Sequence, residues 1–388
     1  MILFGIDHLL QQPEQIKNQR IALVTNNAAR TRDGILSRLA LLKNGFNLVC
    51  LFSPEHGIEA TGEDGKPMPN GIDALTELPI ISLYGNKLKP STEDLENIDL
   101  VLFDIPDIGS RFYTYLWTLT YVMEACATSN KKLIILDRPN PISANLSLAE
   151  GPMLEEDSAS FIGRWPIPIR HSCSLGELAQ YFNATQQLKC KLVIIPYSFC
   201  DRTDFQPDWG NTFVATSPAI QSFESMLLYP GMCLLEATNI SEGRGTNQAF
   251  CIAGAPWMDS KKVAGLFNQL GLDEVVATPI QFTPIAGKYK DQQCNGIQLN
   301  IKEPAYFQSV TNGLLLIQLI KALHPTKFEW APYCTQVNPD GKNHLDKLLG
   351  IANSEALFNL PLNQFIASIT KLTAVNNWKN EVAPYLIY

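Results

Sequence analysis

Short aliphatic runs recur through the first half of the chain, each bounded by turn-forming residues. Such runs are typical of buried β-strands, because a strand covered on both faces has no polar side. They occupy residues 21–24, 48–52, 80–83, 100–103, 133–136 and 192–195. Helical patterns lie between them, as in 116–126 and in 175–182, the latter opened by the capping-box sequence Ser174-Leu-Gly-Glu177. This alternation predicts an α/β fold whose first part is Rossmann-like, with a largely parallel sheet flanked by helices.

The chain length predicts more than one domain, because 388 residues exceed what a single hydrophobic core usually holds. Past Trp209 the sequence changes to irregular segments rich in Pro, Gly and Ser, and we place a junction near residue 230. Helical patterns follow at 261–270, 313–323 and 363–375, with strand-like stretches near 281 and at 297–301. We therefore expect a Rossmann-like catalytic domain at 1–230 and a smaller α/β domain at 231–388 that completes a cleft.

Composition and charge narrow the class of partner. Hydrophobic residues make up 46% of the chain, which is enough to bury large cores, and the net charge of −8 disfavours nucleic acid and anionic membranes as partners. No apolar stretch approaches the roughly 20 residues that cross a bilayer. The N-terminus lacks the pattern of a secretory signal, and the nine cysteines form no CxxC pair, which suits reduced thiols. We expect a cytoplasmic location, or export if a signal peptide has been removed.

The residues that follow the predicted strands are unusually polar. In a doubly wound sheet the ligand crevice forms outside the carboxyl ends of the strands, so these residues are expected on one rim. They include Asn26, Glu55, His56, Asp104, Asp107, Asp137 and Arg138. No GxGxxG or GxxxxGK[ST] sequence is present to approach a phosphate. We therefore expect neither a nucleotide nor any other cofactor, and no metal.

The segment Ser53-Pro-Glu-His-Gly57 is the most informative of these strand ends. Pro54 restricts the chain as it leaves the strand, and Gly57 permits a sharp turn. A partly desolvated carboxyl at Glu55 can have the raised pKa that a general acid needs, with His56 as its hydrogen-bond partner or a second proton carrier. The alternative is structural: Glu55 caps a following helix and His56 is a turn residue.

Other segments carry candidate ligand-binding residues, each with a structural alternative. The loop 104–115 presents Asp104, Arg111, Tyr113 and Tyr115, which suit a polyhydroxylated ligand unless Arg111 only pairs with a neighbouring carboxylate. In 137–141, Arg138 and Asn140 either bind a ligand or belong to a turn stiffened by prolines. His171 precedes the Ser174 cap and can equally be structural. The loop 236–246 carries Glu236, Asn239, Glu242 and Arg244, and is either the source of a second carboxylate beside Glu55 or a turn-rich linker.

Several separated motifs together resemble one known family. They are Leu23-Val-Thr-Asn26, Ser53-Pro-Glu-His-Gly57, Phe103-Asp-Ile-Pro-Asp-Ile-Gly-Ser-Arg-Phe-Tyr-Thr-Tyr115, Leu136-Asp-Arg-Pro-Asn-Pro141, Glu150-Gly-Pro152, Arg170-His171, Tyr229-Pro-Gly231, Glu236-Ala-Thr-Asn239, Gly243-Arg-Gly-Thr246 and Gly254-Ala-Pro-Trp257. In their order they resemble the bacterial exo-β-N-acetylmuramidase family, formerly a domain of unknown function. The resemblance implies a two-domain hydrolase that removes terminal N-acetylmuramic acid from the non-reducing end of peptidoglycan fragments, with its catalytic glutamate at Glu55.

That resemblance suggests roles for the charged residues. Arg111, Arg138 or Arg244 would bind the lactyl carboxylate of muramic acid, and Arg138 is favoured; Glu236 or Glu242 would be the second carboxylate. Two alternatives use the same rim. One is a metal-dependent hydrolase with Asp104, Asp137, His56 and His171 as ligands. The other is a peptidoglycan or sugar-binding protein without catalysis.

Overall fold

The structure, a computed structural model, describes residues 2–335 and 338–388. Within them, seven strands form one sheet in the order β3-β4-β2-β1-β5-β6-β7 and three form a second sheet in the order β8-β10-β9. The strands are β1 (Ile21–Thr25), β2 (Leu48–Ser53), β3 (Gly71–Ile72), β4 (Pro79–Ser82), β5 (Leu100–Asp104), β6 (Lys132–Leu136), β7 (Lys191–Ile195), β8 (Ile252–Ala255), β9 (Val275–Phe282) and β10 (Cys294–Ile301).

The helices alternate with the strands of the large sheet and then surround the small one. They are α1 (Gly5–Gln11), α2 (Ser37–Lys43), α3 (Thr92–Glu96), α4 (Tyr115–Thr128), α5 (Leu175–Thr185), α6 (Phe223–Met232), α7 (Ser260–Asn268), α8 (Ser309–Leu323), α9 (His344–Leu349), α10 (Leu362–Thr373) and α11 (Trp378–Val382). The six predicted strands and the predicted helices are confirmed, including the Ser174 and Glu177 capping box at the start of α5. Among the described residues, no helix has the length and apolarity that crossing a membrane requires.

The large sheet is parallel except for β3, which pairs antiparallel with β4. Its central strand is apolar on both faces: Ala22 and Val24 join one core, whereas Ile21 and Leu23 join another that includes residues of α1 and α2. A strand covered on both sides is what the uninterrupted aliphatic runs predicted. The α/β class with a Rossmann-like parallel sheet is therefore confirmed.

Strand register brings three loops to one edge of this sheet. Val24 pairs with Phe52 of β2 and with Phe103 of β5, so these strands end level with one another. The chain segments that leave them therefore start side by side at the carboxyl edge. This is the edge where ligands bind in doubly wound folds.

The second sheet is antiparallel and packs with α7, which in turn packs against α8, in the C-terminal part of the chain. Helix α6 crosses α8 at very short range: a Cβ on Gly231 would lie 1.9 Å from the Ser309 carbonyl oxygen, and one on Gly313 would lie 2.3 Å from the Gly231 carbonyl oxygen. Only glycine permits such an approach at both positions. Residue 230 lies inside α6, and the division of the chain into 1–230 and 231–388 stays a prediction.

Candidate active site

A cleft at the carboxyl edge of the large sheet is lined by residues from both parts of the chain. Its empty space is about 820 Å³, including the part open to solvent. One side is built by the segments after β2, β4 and β5. The other is built by α6, the loop after it, the segment around Tyr333 and the face of α9 that carries His344 and Lys347. Its lining includes Glu55, His56, Asp64, Tyr84, Phe112, Tyr113, Phe161, Tyr229, Glu236, Arg244, Tyr333, Asn338, His344 and Lys347.

Glu55 lies on the wall of this cleft with only 6% of its surface exposed. The chain turns directly after it through two left-handed residues, His56 with φ of 66° and Gly57 with φ of 71°. The turn brings the backbone N–H of Gly65 to Glu55, where it donates a hydrogen bond of 2.8 Å to Oε1. Burial and the negative charge of Glu55 raise the pKa of Tyr84 well above its usual range. The Tyr84 hydroxyl therefore stays protonated in the same cleft.

His56 does not use its ring nitrogens on Glu55. Its Nδ1 lies 2.8 Å from the carbonyl oxygen of Gly62, and because a carbonyl only accepts, Nδ1 carries the proton. Its Nε2 faces Asp64 Oδ1 at 3.7 Å. The histidine thus fixes the turn after β2 and connects it to Asp64. No helix follows Glu55, so the capping alternative does not describe this residue.

Arg244 connects three carboxylates at one side of the cleft. It donates to Asp64, to Glu236 Oε1 at 2.7 Å, and its Nε lies 3.3 Å from Glu242 Oε1. Its guanidinium also lies 4.9 Å from the centre of the Phe250 ring. Asp64 comes from the segment after β2, whereas Glu236 follows α6. Arg244 therefore joins the two walls of the cleft.

Glu236 lines the cleft and is the central acid of this network. Its Oε1 accepts from Arg244, and its Oε2 lies 3.1 Å from Nε2 of His344. Burial alone would raise the pKa of Glu236, but Arg244 and the hydrogen bond with His344 outweigh it and bring the pKa to about 2. A pKa this low favours the ionised form of Glu236 at neutral pH, which does not suit a proton donor.

Glu242 lies behind this network and does not line the cleft. It is 2% exposed, and its second oxygen, Oε2, accepts from Lys288 at 3.1 Å. The same Lys288 ammonium also donates to the carbonyl oxygens of Leu235 and Ile240. Glu242 thus neutralises two half-buried cations, Arg244 and Lys288, in the manner of the linker alternative.

Two tyrosines of the loop 104–115 meet the segment around Thr216. Tyr113 lines the cleft and donates to Thr216 Oγ1 at 2.7 Å, whereas Tyr115 lies deeper and donates to the Thr216 carbonyl at the same distance. Asn26 is fully buried near Tyr115 and is not among the cleft-lining residues. Of these three predicted substrate-binding residues, the structure brings only Tyr113 to the cleft.

Arg111 is buried and connects segments of the chain by hydrogen bonds, and it does not act as a ligand-binding group. Its guanidinium donates to the carbonyl oxygens of Pro152 at 2.7 Å, Ile167 at 2.9 Å and Leu348 at 2.8 Å. Burial lowers the pKa of Arg111 to about 9. The structure places it away from the cleft, joining α9 to the N-terminal part of the chain.

Three more predicted substrate-binding residues make structural contacts outside the cleft. Asn140 donates to the Cys173 carbonyl at 3.1 Å, and His171 faces Asp107 at 3.2 Å. Asn239 donates to the Lys327 carbonyl and accepts from the Glu329 N–H. Each of these side chains connects one loop to another by a hydrogen bond or a polar contact. Their contacts therefore agree with a structural role and not with substrate binding.

Arg138 lies in a second groove at the ends of β1, β5 and β6. There it donates to both oxygens of the fully buried Asp104, at 2.6 and 3.1 Å, and to the carbonyl oxygen of Arg30. Phe4 covers its guanidinium at 4.5 Å. Neither Arg138 nor Asp104 lines the cleft that contains Glu55, so the structure does not bring the favoured carboxylate-binding residue to it.

The four residues of the metal-site alternative have separate partners. Asp104 is paired with Arg138, and Asp137 accepts from the Ser174 hydroxyl at 2.6 Å and the Gly176 N–H at 2.9 Å. His171 faces Asp107, and His56 lies in the cleft. Among residues 2–335 and 338–388, no group of three or more His, Cys, Asp or Glu side chains is arranged to hold a metal ion.

Several cleft residues escaped the sequence analysis. Asp64, His344 and Lys347 line the cleft beside Glu55 and Glu236. Asp64 sits in an irregular segment, and His344 and Lys347 belong to a helix of six residues, which gives too short a pattern to recognise.

Comparisons with known proteins agree with this architecture. The N-terminal family model of exo-β-N-acetylmuramidase NamZ matches residues 21–224, and the C-terminal model matches residues 227–388. Peptidoglycan β-N-acetylmuramidase NamZ of Bacillus subtilis strain 168 is 39% identical over 329 residues, covering 84% of this chain and 79% of that protein. Two crystal structures of DUF1343 family proteins from Bacteroides fragilis NCTC 9343 match with TM-scores of 0.88 and 0.76, each at 28% identity and covering 100% of this chain and 99% of the other. The chain therefore belongs to the exo-β-N-acetylmuramidase NamZ family of glycoside hydrolases.

Proposed function

We propose that this protein is an exo-acting glycoside hydrolase that releases terminal N-acetylmuramic acid from the non-reducing end of peptidoglycan fragments, with Glu55 as the general acid. The observation that carries the proposal is a buried carboxyl, Glu55, on the wall of a cleft in a member of this family. Its substrate is a small saccharide or muropeptide, and the reaction needs no cofactor.

Glu55 would protonate the glycosidic oxygen as positive charge develops on the sugar ring. The Gly65 N–H donates to its carboxyl, which limits the geometries it can adopt. A general acid must lie within hydrogen-bond reach of the atom it protonates. A buried side chain held by a backbone hydrogen bond at the cleft wall supports this role.

Glu236 would stabilise the positive charge that develops on the sugar ring and would take no part in proton transfer. It is ionised, it lines the same cleft, and both of its oxygens are engaged by Arg244 and His344. A fixed negative charge in a partly desolvated cleft stabilises an oxocarbenium-like transition state. Of the two glutamates that the sequence offered as the second carboxylate, the proposal keeps Glu236, because Glu242 lies behind the network.

The test of Glu55 is the Glu55→Gln variant with the disaccharide MurNAc-GlcNAc as substrate, because a sugar alkoxide must be protonated as it leaves, whereas an activated leaving group such as 4-nitrophenolate needs no acid. The amide keeps the shape of the side chain but cannot donate the catalytic proton as a carboxylic acid does, so kcat should fall by about 100-fold or more while binding of N-acetylmuramic acid, measured by calorimetry, is retained. The matched control is Glu59→Gln, an exposed glutamate of the same segment, which should keep wild-type kcat. An active Glu55→Gln variant would exclude Glu55 as the acid.

Terminal release is tested separately with two disaccharides. MurNAc-GlcNAc presents N-acetylmuramic acid at the non-reducing end, and GlcNAc-MurNAc presents it at the reducing end. Chromatography of the products should show free N-acetylmuramic acid from the first disaccharide alone. Equal cleavage of both would contradict the exo-acting part of the proposal.

A further inference from the structure

The cleft contains one cation whose charge no carboxylate balances. Among the described residues, His56, Arg244, His344 and Lys347 are the basic side chains that line it. His56 faces Asp64, Arg244 contacts Asp64, Glu236 and Glu242, and His344 faces Glu236. Lys347 Nζ instead donates to two neutral acceptors, Asn338 Oδ1 and the carbonyl oxygen of Lys342.

The backbone around Lys347 directs it into the cleft. His344, Lys347 and Leu348 are spaced three and four residues apart on α9, which places them on one face of the helix, and all three line the cleft. The Leu348 carbonyl accepts a 2.8 Å hydrogen bond from Arg111, so the helix is fastened to the N-terminal part of the chain. The helix that carries Lys347 is therefore held in place, and the hydrogen bonds from Nζ to Asn338 and Lys342 orient its ammonium.

Asn338 supplies a second donor at the same place. Lysine only donates, so the atom that accepts from Nζ must be Oδ1, and the other terminal atom of the Asn338 amide is the NH₂ group. That Nδ2 is buried and has no hydrogen-bond partner among the described residues. A charged donor next to a neutral donor that none of the described residues uses matches an anion with two acceptor oxygens, such as a carboxylate.

Arg244 is a poor receptor for such an anion, although it lines the same cleft. Its guanidinium already contacts three carboxylates, Asp64, Glu236 and Glu242. A fourth carboxylate would meet the repulsion of the three that are present. The cation that can gain a carboxylate without this repulsion is Lys347.

We propose that Lys347 binds the lactyl carboxylate of N-acetylmuramic acid and that Asn338 orients its ammonium group. This inference rests on the proposed function, because the lactyl ether is the group that distinguishes N-acetylmuramic acid from N-acetylglucosamine. Lys347 would thus be a specificity-determining residue that acts in substrate binding and takes no part in proton transfer.

The test compares the wild type with a variant that lacks the charge of Lys347. Each is assayed on a substrate that carries the lactyl carboxylate and on one in which that charge is removed. Lys347→Met keeps an unbranched side chain without the ammonium. On 4-nitrophenyl β-N-acetylmuraminide this variant should lose about 10-fold to 100-fold in kcat/KM, mainly through KM, since one charge-assisted contact is removed. On the lactyl methylamide of the same substrate, which has no negative charge, the same substitution should change kcat/KM by less than about 3-fold.

Two controls accompany this comparison. Lys371→Met removes an exposed lysine of α10 and should leave kcat/KM unchanged on both substrates. Lys347→Arg retains the charge and should recover part of the loss on the acid substrate. Thermal unfolding of each variant confirms that it is folded.

The outcomes separate the inference from the proposed function. Hydrolysis by the wild type with an unchanged Lys347→Met variant would overturn only the assignment of Lys347. An equal loss on the acid and on the amide would also overturn it, because a structural role does not depend on the substrate's charge. No hydrolysis of any muraminide by the wild type would overturn the proposed function itself, while N-acetylmuramic acid binding that weakens only in the Lys347→Met variant would still support carboxylate recognition.

Discussion

Replacing Glu236 by glutamine tests the charge network of the cleft directly. Glutamine has the shape of a protonated glutamate, so the Glu236→Gln variant removes the negative charge and little else. Arg244 would keep its contacts with Asp64 and Glu242, whereas His344 would lose the carboxylate that its Nε2 faces at 3.1 Å. The variant should therefore lose the stabilisation that comes from the charge of Glu236.

The size of that loss follows from the pKa of Glu236. Burial raises the pKa, but Arg244 and His344 more than compensate and lower it from an ordinary 4.5 to about 2. Because each pKa unit corresponds to about 1.4 kcal/mol, the folded protein favours the ionised form by about 3 kcal/mol. A depressed pKa contributes stability above the unfolded-state pKa, and this stability is lost as the pH falls through the folded-state value. We expect a destabilisation of about 3 kcal/mol at pH 7 that shrinks between pH 4.5 and pH 2.

Urea unfolding followed by tryptophan fluorescence at several pH values measures this difference. Wild type and Glu236→Gln should differ most in free energy of unfolding at neutral pH and converge in acid, where the wild-type carboxyl is also protonated. Glu303→Gln is the matched control, since Glu303 is exposed, and it should track the wild type at every pH. A Glu236→Gln penalty that stays constant from pH 7 to pH 3 would refute the electrostatic reasoning and indicate a packing effect.

Two further predictions concern residues outside the network. Arg138→Met should keep kcat/KM within about 2-fold of the wild type, since Arg138 lies in the second groove, but should lower the free energy of unfolding by about 3 to 5 kcal/mol, because the substitution leaves Asp104 buried without its cation. A large loss of activity in a stable Arg138→Met variant would instead indicate that Arg138 binds the substrate. EDTA should leave the rate on the chromogenic muraminide unchanged, because Asp104, Asp137, His56 and His171 have separate partners; a loss restored by added metal would contradict this.

The strands of the large sheet could be predicted because their signal is local. β1 is buried at every position from Ile21 to Thr25, so its apolar run can be read without knowing its neighbours. β8, Ile252–Ala255, could not be recognised in this way. It contains Gly254, where a Cβ would lie 2.6 Å from the Asn295 carbonyl oxygen and 2.8 Å from the Phe282 ring. This strand is specified by a close approach to residues far along the chain, and small side chains leave no strand pattern.

Site residues whose location follows from the end of a strand could be predicted from the sequence. Residues whose location depends on an ion-pair or hydrogen-bond partner elsewhere in the chain could not. Glu55 follows a strand, and the strand-end rule is enough to bring it to the carboxyl edge. Arginine side chains are different, because the sequence shows their charge but not their direction. Arg111 uses its donors on three carbonyl groups in the interior, and Arg138 uses its own on Asp104. The residues next to Arg111 and Arg138 in the sequence do not reveal these partners.

The orientation of Glu55 depends on residues of the C-terminal part. Its Oε1 accepts from the Gly65 N–H, and Gly65 is adjacent to Asp64, which is bound by Arg244 from 180 positions away. The sequence Pro54-Glu-His-Gly57 therefore brings the carboxyl to the cleft, whereas the Arg244 contact holds the segment that supplies its hydrogen-bond donor. Because Arg244 is itself held by Glu236 and Glu242, the ion network that joins the two walls also determines where the proposed acid points. A substitution in that network should therefore change the orientation of the Glu55 carboxyl through the backbone of Gly65.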